Sequence, residues 1–573
     1  MFNHIFNSQT KTVTFAAFIL AVSALISRIL GFFRDRLLAG RFGAGIETDI
    51  YFAAFRIPDF VYGVLIVGGI TAAFLPVFSE YFKKNEEKIA ESEWPKKAAD
   101  LTNNILNCFL ILLILVCGIL AIFTPFIINF ITPGFSPQNK ALTAALTRIM
   151  FFSPIFFGLS SIFSGILNYF NRFLTYSLAP ILYNLGIIFG ILFLVPIFGI
   201  FGLAYGVILG AFFHLAIQIP AAKISGFKYK PIFNFKYPGL KKIFKLTIPR
   251  VIGTAAYNIN LIVVTAIAST LTVGSISIFN YSNNLYYFPI GLIGIPFAIS
   301  SFPVFSKFWA NGRRKEFLEN FSSSFRQILY FIIPVSLLLF LLRAQIVRLV
   351  LGTGNFGWWE TRLTAASLGI FCLGILADSL IPILTRAFFA FQNTKIPTII
   401  GIISVAFNII FAFLFTSLLK YQNIFQKFFA VLLRLQNMND GVRIIENIEV
   451  IGLPLALSLT ALLQLFLLLI FLYKKIGDFK IKEILKSLSK ILWAGILMVI
   501  FAYFVRQITA NFVNMQTFFG VFIQTFFAGS VGILVYFLTT LLLKSPEVKI
   551  LKLAILKQFG KAEYESEYES KTN

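Results

Sequence analysis

Apolar residues in this chain come in long unbroken runs, with polar residues gathered between them. Fourteen runs reach the roughly 20 residues that a helix needs to cross the hydrocarbon core of a bilayer. They lie near 13–33, 49–79, 101–132, 142–170, 173–198, 201–222, 243–270, 274–305, 322–351, 363–391, 396–419, 449–473, 484–507 and 516–543. The pattern predicts an all-α polytopic membrane protein of about 14 transmembrane helices.

The polar segments carry an orientation signal. Lysine is dense after the second run (Lys83, Lys84, Lys88, Lys96, Lys97), after the sixth (Lys223 to Lys245) and after the twelfth (Lys474 to Lys490). The eighth run is followed by Lys307, Arg313, Arg314 and Lys315, whereas the segments after the fifth and seventh have no Lys or Arg. Under the positive-inside rule both termini are then cytoplasmic. The segment 420–447 departs from the alternation; its "NIFQKFFAVLLRLQ" is amphipathic and reads as a helix lying on the membrane surface. The tail "KAEYESEYESKTN" reads as disordered.

Composition narrows the class. Of 573 residues 58% are hydrophobic and 13% charged, with a mean hydropathy of +0.85, where a soluble domain carries roughly 25% charged residues. The net charge of +25 is carried largely by loop lysines, so it marks membrane topology rather than nucleic-acid binding. Cys108, Cys117 and Cys372 all sit inside apolar runs, and the two histidines, His4 and His214, are too few for a histidine metal site. No metal and no cofactor is expected. No cleavage site for a signal peptide precedes the first run, so that run is expected to remain.

Two short segments repeat. "AAFLPVFSEYFKKN" (72–85) and "ISSFPVFSKFWANG" (299–312) align with an offset of 227 residues, pairing Pro76 with Pro303. Six runs lie between the copies, which gives both the same orientation. The expected organisation is a six-helix half over 1–225 and a second over 226–480, with the surface segment near 420–447. Two extra helices over 481–545 and a cytoplasmic tail over 546–573 complete it. Runs two and eight are both interrupted, by Pro58 and Gly68-Gly69 and by Pro289, Gly291, Gly294 and Pro296. Matched broken helices point either to a binding site near the bilayer midplane or to packing kinks.

The first run ends in "SRILGFFRDRLLAGRFGAG", with Arg28, Arg34, Arg36 and Arg41 and one acid, Asp35. Charges inside a span usually face a cavity or a partner. At 100° per residue Arg28 and Asp35 share one helix face, Arg34 and Arg41 another, and Arg36 lies apart. The group reads as lining a hydrated cavity, or, for Arg36 and Arg41, as marking where the helix leaves the membrane. Asp49 and Arg56 follow in the second run, and Asp378 and Arg386 in the tenth, where a structural ion pair and a functional role are both open. Guanidinium grips phosphate bidentately, so a phosphorylated lipid head group is a natural cargo. The chain holds no P-loop and no His-Glu-x-x-His. Its acids do not cluster as in a lipid-carrier glycosyltransferase. A transporter driven by the membrane potential or an ion gradient is expected, not an enzyme.

"SRILGFFRDRLLAGRFGAGIETDIYFAAFRIPDF" resembles the N-terminal signature of the MurJ (MviN) lipid II flippases, in the multidrug/oligosaccharidyl-lipid/polysaccharide exporter superfamily. Residues 164–188 and 288–306 are similar to further segments of that family. The resemblance implies transport of the undecaprenyl-pyrophosphate-linked peptidoglycan precursor from the inner to the outer leaflet of the bacterial inner membrane by alternating access, for cell-wall synthesis. It implies a basic central cavity, with Arg28, Arg34, Asp49 and Arg56 at charged motif positions; from their own place in the spans, Asp35, Asn284, Asp378 and Arg386 are further candidates for a cavity or coupling role. It also implies a membrane-lipid environment and a monomer. The chain departs from the family pattern at Tyr62, Gly63 and Val67, where relatives carry charges, and at Asn283-Asn284 in place of Asp-Arg. Those departures leave a flippase or exporter of another polyprenyl-linked saccharide as the alternative. A multidrug antiporter and a membrane glycosyltransferase are the more distant readings.

Overall fold

The computed structural model describes residues 13–83, 94–435, 447–548 and 550. Every regular element among them is helical. In chain order the long helices are α1 (Val13–Phe42), α2 (Ile46–Phe82), α3 (Lys96–Ile131), α4 (Pro137–Tyr169), α5 (Phe173–Phe198), α6 (Phe201–Ile224) and α7 (Pro238–Ser269). They continue as α8 (Ser275–Ala310), α9 (Arg314–Leu341), α10 (Trp358–Ala390), α11 (Lys395–Lys420), α12 (Ile448–Ile476), α13 (Ile481–Ala510) and α14 (Phe518–Leu542).

Among the described residues, twelve of these fourteen helices are long and apolar enough to cross a membrane. The other two, α1 and α7, fill the remaining places in the order. The C-terminal half of α1 carries Arg28, Arg34, Asp35, Arg36 and Arg41. The tail 561–573, expected to be disordered, lies outside the described residues, as do 436–446 of the amphipathic segment. Of that segment, Ile424–Leu432 is helical, capped by Asn423 Oδ1 accepting from the Gln426 amide at 2.7 Å. Ile424, Phe428 and Val431 are exposed on it.

Both interrupted helices contain a π-helical stretch just after a proline: Tyr62–Ile70 in α2, following Pro58, and Ile290–Gly294 in α8, following Pro289. Proline removes a ladder hydrogen bond and crowds the preceding turn, and a widened turn absorbs that. The 227-residue offset carries Tyr62–Ile70 onto 289–297, which contains the second stretch. Glycine lets the widened turns pack closely. A Cβ on Gly63 would come within 2.6 Å of Asn258 Nδ2 on α7, and one on Gly294 within 2.7 Å of Ser379 Cα on α10. A third π stretch, Gly190–Leu194 in α5, has no counterpart in the repeat.

Helices α1, α4 and α6 pack on α5, and α4 on α6, while α8, α9 and α12 pack around α10 and α11 packs on α12. The two groups meet where α7 crosses the widened turn of α2 and where α8 meets α2. Helices α13 and α14 pair along their length and lean on α9.

Candidate functional site: a polar cavity between the two helix groups

Ser27, Gly31, Arg34 and Asp35 follow the i, i+4, i+7, i+8 spacing that puts them on one face of α1. That face, together with Arg28, forms one wall of a cavity of about 320 Å³. Asn184 of α5 closes one side, and Tyr257 of α7 with Asn283, Asn284 and Tyr287 of α8 closes the other. The cavity therefore lies between the first six helices and the next six, and most of its wall is polar or charged.

Its charges are not equivalent. Arg34 donates to Asp35 Oδ1 through Nε at 3.0 Å and Nη2 at 2.8 Å, and to Asn184 Oδ1 through Nη1 at 3.3 Å. The second Asp35 oxygen accepts from Asn284 Nδ2 at 3.0 Å. Asn184 is itself fixed, donating to Ser27 Oγ and to the Ser27 and Pro180 carbonyls. Arg28 makes no salt bridge or hydrogen bond among the described residues. Its guanidinium lies 5.8 Å from the Tyr287 ring centroid, and a Cβ on Gly291 would meet its Nη2. Glycine in the broken turn of α8 thus leaves room for the one cavity cation that has no carboxylate partner.

A second cavity of about 530 Å³ adjoins the first and shares Tyr257, Asn283 and Tyr287 with it. It runs among α7, α8, α10, α11 and α12. Asp378 lines it and accepts a hydrogen bond from Tyr286. Asn260 Oδ1, both polar atoms of the Asn408 amide and Thr460 Oγ1 are buried there without a hydrogen-bond partner among the described residues. Buried amides normally find partners, so this wall is built to meet something polar.

Several expected cavity residues sit elsewhere. Asp49 is 2% exposed and caps α8: Oδ2 accepts from the Gly274 amide at 2.7 Å, and Oδ1 accepts from the Ser277 amide at 2.8 Å and hydroxyl at 2.6 Å. A carboxylate on free amides at a helix N-terminus is a structural clamp, here joining α2 to α8. Arg56 is buried too, donating to Thr265 Oγ1 at 2.6 Å and Asn280 Oδ1 at 2.7 Å. Neither Asp49 nor Arg56 lines either cavity. Arg386 also lines neither; it stacks 5.9 Å from the Phe302 ring centroid and forms no ion pair with Asp378. Arg36 leaves the cavity face, donating to the Leu349 carbonyl at 2.6 Å, and Arg41 is exposed.

Asp59 was missed by the sequence reading. It lies on α2 and is solvent-accessible. The Arg56-x-x-Asp59 spacing, which puts both on one helix face, was the available signal. Asn184 and Tyr257 carried none, because single polar residues in apolar runs are common.

The profile of the family described as "Lipid II flippase MurJ" matches residues 38–425. The chain belongs to the MurJ family. A protein of Buchnera aphidicola subsp. Schizaphis graminum, named "Probable lipid II flippase MurJ", is 34% identical over 390 residues, covering 67% of this chain and 74% of its own. A solved structure described as "Lipid II flippase MurJ, inward closed conformation" matches with a TM-score of 0.69 at 27% identity, over 91% of this chain and 98% of that one. An inward-facing multidrug-resistance transporter of the MATE family matches with a TM-score of 0.63 at 13% identity, over 81% of this chain and 99% of its own, a likeness of fold alone. At the positions where the family resemblance implies charges, the neutral residues of this chain have structural contacts. Tyr62 packs on Phe157 with centroids 5.1 Å apart, Gly63 admits Asn258, and Asn284 holds Asp35.

Proposed function

We propose that this chain is a lipid II flippase of the bacterial cytoplasmic membrane, moving the undecaprenyl-pyrophosphate-linked precursor to the outer leaflet by alternating access, for cell-wall synthesis. The observation that carries the reading is Arg28, a cation with no carboxylate partner among the described residues, in a polar cavity between two helix groups. An entering pyrophosphate meets Arg28 first, and its charge competes with Asp35 for Arg34. Asp35 keeps its bond to Asn284, so the exchange costs less than stranding a buried carboxylate would. Rocking of the two groups about the cavity then exposes the head group to the other side.

In this reading the protein is a monomer with both termini cytoplasmic, and transport is driven by the membrane potential or an ion gradient. The neutral Asn283-Asn284 pair favours one second reading, a flippase for another polyprenyl-linked saccharide. Complementation of a flippase-depleted bacterium tests the role of the cavity. The Arg28→Ala, Arg34→Ala double variant is expected to insert but not support growth, and normal growth overturns the cavity assignment.

A further inference from the structure

A second group of arginines lies at the far end of α9 from the basic loop that precedes it, about 42 Å along a 28-residue helix. Arg343 Nη1 donates to the Phe340 carbonyl at 2.9 Å, and Arg506 Nη1, from α13, donates to the adjacent Leu341 carbonyl at 3.1 Å. Two guanidiniums thus sit on consecutive carbonyls at the C-terminus of α9. Arg434, just past the amphipathic helix Ile424–Leu432, is the third; both of the others feel its charge. Gly369 brings Arg343 against α10, since a Cβ there would come within 2.9 Å of Arg343 Cδ, with Leu433 next to it.

A helix C-terminus offers only about half a negative charge, too little for three guanidiniums. None of the three forms a salt bridge among the described residues. Each guanidinium has five N–H donors, and for Arg343 and Arg506 a single N–H is engaged in each case. Both stack on aromatic rings, Arg343 at 4.8 Å from the Phe340 centroid and Arg506 at 4.9 Å from that of Tyr503. Tyr503 is exposed three residues before Arg506, and exposed Trp359 lies under Arg362, whose guanidinium donates to the Arg434 carbonyl; such aromatics mark the membrane–water boundary. Guanidiniums with no carboxylate partner among the described residues, held at that depth, face the phosphate layer of the bilayer.

We propose that Arg343, Arg506 and Arg434 form a binding site for the phosphate of a lipid head group at the membrane boundary, separate from the central cavity. The occupant is either a resident anionic phospholipid or the pyrophosphate of a lipid-linked saccharide. The site requires only that the chain sit in a bilayer, so it stands whether or not the flippase reading does.

Native mass spectrometry of the full-length chain tests it, with phosphatidylglycerol, lipid II and zwitterionic phosphatidylcholine added separately. Retention of phosphatidylglycerol or lipid II above phosphatidylcholine is expected, with a loss of about tenfold in Arg343→Gln, Arg506→Gln, from charge-assisted bonds removed. Arg41→Gln, an exposed arginine outside the cluster, should retain both. Preference for phosphatidylglycerol identifies a resident lipid; preference for lipid II that survives Arg28→Ala identifies the lipid-linked saccharide. Equal retention by wild type and double variant overturns the proposal. If the double variant fails to fold, Arg434→Gln, an exposed position, must still lower retention, and unchanged retention there overturns it equally.

Discussion

Arg34 and Asp35 are neighbours in sequence, and Arg34 places two of its N–H groups on a single oxygen of Asp35, at 3.0 and 2.8 Å. Consecutive side chains on a helix point about 100° apart and do not normally face each other. The arginine folds back because Asn184 takes its third N–H and Asn284 holds the other Asp35 oxygen. The cavity's two arginines are thereby divided into one that is occupied and one, Arg28, that is available.

Asp35→Asn should free Arg34 for a ligand. The expected result is binding of a polyprenyl pyrophosphate several-fold tighter, from one charge-assisted bond no longer displaced, with slower turnover because release is harder. Isothermal titration and single-turnover flipping measure the two. Weaker binding would mean that Asp35 positions Arg34 rather than restraining it.

The two arginines should differ in their response to substitution. Arg28→Ala removes an unshared cation and should weaken head-group binding by about 10- to 100-fold, from some 1.5–3 kcal/mol. Arg34→Lys keeps the charge but loses the planar fork that spans Asp35 and Asn184. It should impair transport while leaving thermal stability nearly unchanged. Matching losses for the two variants would erase the distinction.

Asp49→Ala should act on stability rather than on the ligand. It strips three hydrogen bonds from the N-terminus of α8, at about 1–3 kcal/mol for a lost cap with buried donors left unpaired. The melting temperature of the purified protein should fall, while head-group affinity of the folded fraction stays the same. An affinity loss without a stability loss would return Asp49 to the cavity.

Two glycines of α8, three residues apart, predict opposite outcomes. Gly294→Ala forces a methyl against the α10 backbone at Ser379 and should destabilise by about 1–3 kcal/mol, as overpacking does. Gly291→Ala meets only the end of the Arg28 side chain. It should leave the melting temperature unchanged and lower transport by displacing the guanidinium. Thermal denaturation and flipping rates, measured together, separate the two effects.

The sequence made the membrane class and the course of the helices legible because apolar runs of bilayer length have few other uses. The matched breaks in α2 and α8 were legible too, since proline and glycine at corresponding offsets act through the backbone alone. The charges were harder. Arg28, Arg34 and Asp35 emerged because they share a stretch of one helix. Asp49 and Arg56 looked the same in one dimension, yet their partners, Gly274, Ser277, Thr265 and Asn280, lie more than 200 residues away. Whether a charge in a span is clamped or free depends on such distant partners, and no local pattern encodes them.

The most direct test of the account is transport of fluorescent lipid II in proteoliposomes by the wild type and by Arg28→Ala, beside a polyprenyl-linked sugar that is not a peptidoglycan precursor. The account predicts that the wild type moves lipid II in clear preference to the other lipid and that Arg28→Ala abolishes the difference by losing lipid II transport. Equal transport of the two lipids by the wild type, or undiminished lipid II transport by Arg28→Ala, would contradict it.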